Sequence, residues 1–288
     1  MKPPIVAAQK IAIAHGIQPD RCEILQDGHT IVVRLTDSLV ARIVTEPNGP
    51  RQGTSWFTRE TSIAAHLSKY QAPVIPLFDD IPPVAHTEDG YTMNFWQYVS
   101  VVEAPASPSE MAITLHRCHE ILKTFPEHLP SLAILHESSA ILEENAVQLA
   151  FDPSCIRLLR DKLEKSIDQL ARMPHQALHG DAHTGNLLTT SQGVLWTDWE
   201  DAFSGPIEWD IASLIWNAKL FDGDTFSVDQ ILSAYQSGGS AIDQDALDQC
   251  LIARAAVMSA WYPILYPNPS PERIRKLQHR MDWLRSCG

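Results

Sequence analysis

Basic residues are scarce in this chain of 288 residues. The sequence contains 22 lysine and arginine residues against 35 aspartate and glutamate residues, which gives a formal net charge of −13. Broad, non-specific binding to nucleic acid needs a basic surface that displaces counterions, so this balance argues against a nucleic-acid partner. The acidic balance does permit a cationic partner.

Cysteine is present in an odd number and without a binding pattern. The five residues are widely spaced, and no Cys-x-x-Cys occurs. They are Cys22, Cys118, Cys155, Cys250 and Cys287. This pattern argues against a disulfide framework and a zinc ribbon, and it is typical of a reducing compartment.

Long apolar runs are also missing. No run approaches the roughly 18 residues that cross a bilayer. Pro3, Pro4 and Lys10 interrupt the apolar residues at the N-terminus, so we do not expect a secretory signal peptide. We therefore expect a soluble cytoplasmic protein with no membrane partner; the sequence leaves its oligomeric state open.

Strand signals dominate the first hundred residues. β-Branched runs over residues 31–33 and 39–44 flank a Thr-Asp-Ser turn. The apolar spacing over 54–70 predicts one helix. The turn residues at 88–90 predict a hairpin that continues into a strand over 91–99.

Helical spacing takes over after a Pro- and Ser-rich break at residues 104–109. Met111, Leu115, Cys118 and Leu122 recur at helical intervals. Further helices are predicted over 153–172, 207–220, 228–235, 245–262 and 271–284. We therefore predict two lobes, an N-terminal one over 1–99 and a C-terminal one over 100–288.

Residues 177–212 carry the chemistry. Two short apolar runs, 187–188 and 194–196, are separated by a Ser-Gln-Gly turn and predict a β-hairpin. The hairpin returns the chain so that Asp198 stands beside Asn186. One carboxylate and one amide oxygen then converge, and these hard oxygen ligands suit Mg²⁺ that also binds water and phosphate.

Asp181 precedes Asn186 by five residues and lies in the same loop. It is expected to sit near the metal without binding it, as the acceptor for the proton of a substrate hydroxyl. In-line phosphoryl transfer needs this arrangement, because the metal stabilises the phosphate oxygens while a carboxylate orients the nucleophile. The alternative is a turn-rich loop in which these side chains only cap the backbone.

The full set of motifs resembles the aminoglycoside phosphotransferase and choline kinase-like family. The matching residues are His179-Gly180-Asp181 with Asn186, Asp198 in Thr-Asp-Trp-Glu-Asp, and Gly205-Pro206-x-Glu208-Trp209-Asp210. The resemblance implies an α+β, protein-kinase-like fold of two lobes. The N-terminal lobe would hold an antiparallel sheet with a helix, the larger C-terminal lobe would be mainly helical, and ATP or GTP would lie in the cleft.

The resemblance also implies a phosphate-binding set in the N-terminal lobe. Arg42 takes the position where the family usually has a lysine, and Glu60 would be its helical partner. Arginine pairs with phosphate and carboxylate but is not equivalent to lysine. Gly28 is the single glycine of a weakly marked phosphate loop. The alternative for Arg42 and Glu60 is an ordinary surface ion pair. The resemblance implies that His179 braces the loop and that Asp210 is structural.

Acidic residues are concentrated near the predicted catalytic loop. Between residues 179 and 250 the chain has twelve acidic residues and one basic residue, Lys219. This distribution favours a cationic acceptor of the amino-sugar or amino-alcohol class, bound by an anionic funnel with cation–π contacts. Candidate acceptor contacts are His183, Glu200, Asp201 and Trp216. The alternatives are a solvated histidine, a solvated acidic surface and aromatic core packing.

The predicted activity is that of a small-molecule kinase with Mg²⁺ and ATP or GTP. Two alternatives stay open: a kinase for a neutral sugar or other metabolite, and a non-catalytic nucleotide-binding regulator with the same fold. A protein kinase is disfavoured, because the sequence has neither Asp-Phe-Gly nor Ala-Pro-Glu to mark an activation loop.

Overall fold

The chain divides into two compact units that are not continuous in sequence. A computed structural model describes residues 2–28, 30–45, 54–221 and 223–287. The first unit comprises Met1–Ala106 and Asn186–Ala202, and the second comprises Ser107–Gly185 and Phe203–Gly288. The segment 186–202 thus belongs with the N-terminal residues, whereas the predicted lobes 1–99 and 100–288 were linear. That lobe boundary stays a prediction.

A five-stranded antiparallel sheet forms the first unit. Its strands lie in the order β1-β2-β3-β5-β4. Their bounds are β1 Glu23–Asp27, β2 Thr30–Arg34, β3 Leu39–Val44, β4 His86–Glu88 and β5 Tyr91–Gln97. Helices α1 Pro3–Ala14 and α2 Ser55–Lys69 complete this part of the unit.

Alternation along β3 assigns each of its residues to one face of the sheet. Ala41 and Ile43 are fully buried in the core cluster that also contains Ile5 of α1. Residues of opposite parity face the other way, because successive side chains of a strand alternate. Val40 accordingly packs with Ala64 of α2. Arg42 has the parity of Val40 and therefore lies on the α2 side.

A separate two-stranded hairpin belongs to the same unit. Strands β7 Leu187–Thr190 and β8 Gly193–Trp196 pair antiparallel, with Leu187 opposite Trp196. The backbone N–H of Thr197 donates to the carbonyl of Asn186 at 3.0 Å and closes the open end. The predicted hairpin is therefore confirmed.

The second unit is mainly helical. Its helices are α3 Pro108–Leu122, α4 Ala133–Ile141, α5 Asn145–Ala150, α6 Pro153–Leu170, α7 Glu208–Leu220, α8 Thr225–Ser237, α9 Gln244–Ala260, α10 Tyr262–Leu265 and α11 Pro271–Ser286. Strands β6 Gln176–Ala177 and β9 Ser204–Gly205 pair at its centre. Five of the helices start where a side chain of Ser107, Asp152, Asp224, Asp243 or Ser270 accepts a backbone N–H of the first turn.

The α+β, protein-kinase-like fold is confirmed in its main elements. The helices predicted between residues 153 and 284 are all present, with ends displaced by a few residues. The helix predicted over 54–70 is present as α2. Helix α1, which precedes the sheet and buries Ile5, Ala7, Ala8 and Ala12, was not predicted. Within the described ranges, none of the helices is both long and apolar enough to cross a membrane.

Candidate active site

Arg42 joins three carboxylates in the first unit. Its Nη1 donates to Glu60 Oε2 at 2.9 Å, and its Nη2 donates to Asp198 Oδ1 at 3.0 Å. The same Nη2 lies 2.8 Å from Glu200 Oε2. The side chain of Arg42 is 13% exposed and that of Glu60 is 1% exposed. The alternative of an ordinary surface ion pair is therefore wrong, because the pair is buried.

A second hydrogen-bond chain fixes Glu60 from the sheet. Asn94 is directly opposite Arg42 in the β3–β5 register, and its Nδ2 donates to Glu60 Oε2 at 2.6 Å. Trp96 Nε1 in turn donates to Asn94 Oδ1 at 2.8 Å. Glu60 Oε2 thus accepts two hydrogen bonds, while its buried Oε1 has no partner among the described residues.

The charges of this group shift each other's pKa values. Burial raises the pKa of Glu60 to about 7, and repulsion from Asp198 and Glu200 adds to the rise against the attraction of Arg42. Burial alone would lower the pKa of Arg42, but attraction by Glu60, Asp198 and Glu200 outweighs it and raises that pKa. Arg42 therefore stays charged at any working pH.

The end of the β7–β8 hairpin holds the two predicted metal ligands. Asn186 accepts the backbone hydrogen bond from Thr197, and Asp198 directly follows Thr197. Asp198 has a φ of 64°, a left-handed conformation that non-glycine residues adopt at a cost. Its Oδ1 accepts from Arg42, and its Oδ2 takes no hydrogen bond within the part of the chain that the structure describes. An amide oxygen with a carboxylate oxygen left available is a donor set that fits Mg²⁺.

Asp210 anchors the catalytic loop of the second unit. Its Oδ2 accepts the backbone N–H of His179 at 2.7 Å, and its Oδ1 accepts that of Gly180 at 2.9 Å. His119 Nε2 reaches Oδ2 at 2.9 Å, and Tyr235 Oη lies 2.6 Å from His119 Nδ1. Asp210 is fully buried, so its expected structural role is confirmed. His179 is also fully buried, and its Nδ1 accepts the backbone N–H of Asp181 at 3.3 Å.

Asp181 lies between a buried arginine and a histidine. Arg254 Nη2 donates to Asp181 Oδ1, and His183 Nε2 lies 3.2 Å from Asp181 Oδ2. His183 Nδ1 accepts the backbone N–H of Gly185 at 2.9 Å, so Nε2 is the nitrogen that carries the proton and donates to Asp181. Burial alone would raise the pKa of Asp181, but Arg254 and His183 hold that pKa well below its usual range. The side chain of Asp181 is 28% exposed, so an ionised carboxylate is presented to solvent.

The remaining predicted site residues are spread over both units. Gly28 lies in the turn after β1, where its carbonyl accepts from Thr45 Oγ1 at 3.0 Å. Asp201 ends the short 3₁₀ helix Trp199–Asp201, which also contains Glu200. Trp216 is 7% exposed on α7, and its ring faces Arg280 of this chain.

Sequence reasoning missed Arg254, the closest charged partner of Asp181. No motif connects the two, because they are 73 residues apart in the chain. One signal was available in α9. Arg254 is the only charged residue between Cys250 and Ala260 of that apolar helix, and an isolated charge on a buried helix predicts a buried partner.

Several solved structures share this fold. The amicoumacin kinase hAmiN, in complex with AMP-PNP, Ca²⁺ and Ami, aligns with a TM-score of 0.75 at 14% identity over 99% of this chain and 94% of its own. The choline kinase LicA from Streptococcus pneumoniae aligns at 0.67 and 15% identity over 98% of both chains. The GDP complex of aminoglycoside 2'-phosphotransferase-IIIa aligns at 0.68 and 13% identity over 99% of both chains.

The sequence itself also matches a family. A search of curated protein sequences found no match. The model of the phosphotransferase enzyme family, in contrast, matches residues 12–247, which include every predicted metal-binding and catalytic residue. The resemblance inferred from the motifs is thus confirmed. The chain belongs to the phosphotransferase enzyme family, and it is an ATP-dependent small-molecule phosphotransferase that acts on hydroxyl groups.

Proposed function

We propose that this enzyme transfers the γ-phosphoryl group of ATP to a hydroxyl of a small acceptor oriented by Asp181. The observation that carries the proposal is the state of Asp181. Its carboxylate is partly exposed, it is kept ionised by Arg254, and its loop is tied to the buried Asp210. An ionised, positioned carboxylate is what an attacking hydroxyl needs.

The first unit would hold the nucleotide. Arg42 faces Asp198 and is held by Glu60, so its guanidinium is positioned to contact the α- and β-phosphates. Asn186 and Asp198 would hold Mg²⁺, which when bound neutralises charge on the phosphate oxygens. Glu60 and Asn94 keep Arg42 in place, and the left-handed backbone at Asp198 aims its carboxylate.

The second unit would orient the acceptor. Asp181 accepts a hydrogen bond from the acceptor hydroxyl and takes its proton as the phosphoryl group transfers. The low pKa makes Asp181 a weak base, and the loose transition state of phosphoryl transfer asks mainly for orientation of the nucleophile. His183 donates to the second carboxylate oxygen and so limits rotation of the side chain.

The charge of the acceptor stays a prediction. Most of the acids that suggested a cationic acceptor already have partners within the chain. Glu200 contacts Arg42, the buried Glu208 accepts the backbone N–H of Asp243, and Asp243 itself caps α9. Of the twelve acids, Asp222 lies outside the described residues. Amino sugars, amino alcohols and neutral sugars therefore belong together in an acceptor panel.

The test is ADP release by the purified protein with this acceptor panel. Asp181→Asn should lower kcat by about 10²–10⁴-fold while the shift in melting temperature caused by ATP persists. Asp168→Asn, on the exposed side of α6, is the matched control and should leave kcat unchanged. Wild-type turnover by Asp181→Asn on a true acceptor would refute the assigned role.

A further inference from the structure

Arg280 on α11 is a buried cation without an ionic partner among the described residues. The residue is 5% exposed, and its Nε makes no hydrogen bond to any of them. Within the described ranges, no carboxylate lies at ion-pair distance from its guanidinium. Buried charges in proteins are normally paired or bound to a ligand, because their desolvation is costly. Arg280 thus has a binding capacity that the described residues do not use.

Aromatic rings hold the guanidinium without satisfying it. Its Cζ lies 5.7 Å from the ring centroid of Trp216 and 5.6 Å from that of Tyr262. Cation–π contacts at this distance favour the charge but accept no N–H hydrogen bond in the guanidinium plane. The Oη atom of Tyr262 is also buried and has no hydrogen-bond partner among the described residues. Two buried donors therefore lie in one cluster where no described residue offers an acceptor at hydrogen-bond distance.

The missing group must be an acceptor, and its charge should be negative. Burial lowers the pKa of Arg280 to about 10, so the guanidinium stays protonated at neutral pH. Burial raises the pKa of Tyr262, so its hydroxyl also keeps its proton. Nearby, the guanidinium of Arg273 lies 3.7 Å from the ring centroid of Tyr266 and adds a second positive charge. A carboxylate or a phosphate meets these requirements, because each offers acceptor oxygens and opposite charge.

Helix α7 relates this cluster to the catalytic loop. Trp209 Nε1 donates to the carbonyl of Gly180 at 2.7 Å, and Arg254 lies over the Trp209 ring at 5.7 Å. Trp216 follows Trp209 by seven residues, which is two helical turns on the same face and about 10 Å along the axis. Tyr262 follows Arg254 by eight residues. The cluster therefore lies about two turns from the groups that position Asp181, within the length of a small metabolite.

We propose that Trp216, Tyr262 and Arg280 form an oxyanion-binding pocket that holds a carboxylate or phosphate group of the acceptor. The first part of the proposal, binding of an oxyanion, stands on the buried donors alone. The second part, that the oxyanion belongs to the acceptor, rests on the function proposed above. Trp216 then contacts the acceptor by flanking its anionic end, in addition to stacking on Arg280.

The binding test uses three linear probes without nucleotide. These are 8-hydroxyoctanoate, octanoate, which lacks the hydroxyl, and 1,8-octanediol, which lacks the carboxylate. Inorganic phosphate is the fourth probe. Saturation-transfer NMR titrations should show both carboxylates binding at least about tenfold more tightly than the diol, the ratio expected for a charge-assisted hydrogen bond. Equal affinity of octanoate and the diol would overturn the pocket.

Variants assign the binding to the cluster. Arg280→Met should weaken carboxylate binding at least about tenfold, and Tyr262→Phe, which removes one hydroxyl, about three- to tenfold. Lys276→Met on the same helix is the control, because its ammonium is exposed and paired with Glu272, and it should leave affinity unchanged. Arg280→Met should melt no lower than the wild type, because it removes an unpaired buried charge. Unchanged affinity in both cluster variants, or a melting temperature several degrees lower in Arg280→Met, would overturn the proposal.

A separate measurement tests whether the bound oxyanion belongs to the acceptor. Asp181→Asn should bind octanoate as the wild type does, because the pocket does not include Asp181. Phosphorylation of 8-hydroxyoctanoate should exceed that of the diol at least about tenfold in kcat/KM, and this preference should disappear in Arg280→Met. If inorganic phosphate and octanoate bind through Arg280 while the diol is phosphorylated equally well, the pocket binds a separate anion and the acceptor assignment is wrong. Loss of all phosphorylation with intact octanoate binding would count against the proposed function alone.

Discussion

Replacing Arg254 by methionine isolates what this arginine does for Asp181, the proposed catalytic carboxylate. Arg254 is 4% exposed on α9, and its guanidinium donates directly to Asp181. Methionine has a similar length and is apolar, so it fills the site without charge. Asp181 then keeps its contact with His183. We expect the variant to fold, because Asp181 is 28% exposed and water can solvate the oxygen that Arg254 contacted.

The magnitude follows from the pKa of Asp181. An opposite charge in contact with a carboxylate lowers its pKa by about 1–3 units, and each unit corresponds to about 1.4 kcal/mol. Burial acts in the opposite direction at Asp181. Without Arg254 the pKa of Asp181 should therefore rise by about 1–3 units from its depressed value. The variant then loses the ionised carboxylate at a pH about 1–3 units higher than the wild type does.

The assay is the pH dependence of kcat/KM with a true acceptor, followed from pH 9 down to the lowest pH at which each protein stays folded. The acidic limb caused by Asp181 should lie about 1–3 pH units higher in Arg254→Met than in the wild type, and activity should fall about tenfold for each pH unit below it. Arg254→Lys retains the positive charge, so its acidic limb should stay at the low pH of the wild type. Arg160→Met, which breaks an exposed pair with Glu143 in the same unit, is the control. An acidic limb at the same pH in wild type and Arg254→Met would refute the reasoning.

Three other results are expected. Asparagine tolerates the left-handed backbone at residue 198, so Asp198→Asn should fold but lose the Mg²⁺-dependent stabilisation by ATP. For the wild type this stabilisation is about 2.7 kcal/mol at an ATP concentration of 100 times Kd. The exposed Asp79→Asn is the control, and an unchanged shift in melting temperature in Asp198→Asn would contradict metal binding. Glu60→Gln should gain stability relative to the wild type as the pH rises from 5 to 8. The reason is that between about pH 4.5 and the folded-state pKa of Glu60, about 7, the folded protein binds the Glu60 proton more tightly than the unfolded chain does. An equal difference in melting temperature between variant and wild type at both pH values would contradict this. Asp210→Asn turns an amide N–H toward the donors around residue 210 and should lower the free energy of unfolding by about 2–4 kcal/mol, measured by thermal unfolding. The surface control Asp282→Asn should lower it by less than about 0.5 kcal/mol. An Asp210→Asn variant as stable as the wild type would mean that Asp210 does not hold the loop.

Local patterns in the sequence were sufficient to predict the hairpin and the positions of Asn186 and Asp198, the two proposed metal ligands. The register of β7 and β8 follows from short apolar runs around a tight turn, so the positions of Asn186 and Asp198 at its open end could be predicted from spacing alone. Helix α1 could not be predicted this way. It begins with two prolines, lacks a capping side chain, and is apolar on most of its surface, so the 3.6-residue period is faint. Its helical state is decided by packing against the sheet.

Contacts between residues far apart in the sequence could not be predicted either. Glu60 was expected beside Arg42 through the family resemblance, but the contacts of Asn94 and Glu200 with this pair depend on how β5 and the 3₁₀ turn pack. Arg254 reaches Asp181 from a helix 73 residues further along the chain. Such contacts join elements whose separation in sequence carries no period, so only tertiary structure determines them.

Charge counted along a sequence is also a poor measure of the field that a ligand meets. The acid-rich stretch from residue 179 to residue 250 suggested an anionic funnel, yet many of its carboxylates are compensated where they stand. Asp181 is paired with Arg254, Asp198 with Arg42, and Asp210 with backbone N–H groups. Compensated charges contribute little field at a distance, because a close opposite charge turns each into a short dipole. Arg280 is different, because none of the described carboxylates compensates it and it lies in a desolvated place where its field is screened least. We therefore expect the selection of the acceptor to depend more on this one cation than on the larger number of acids.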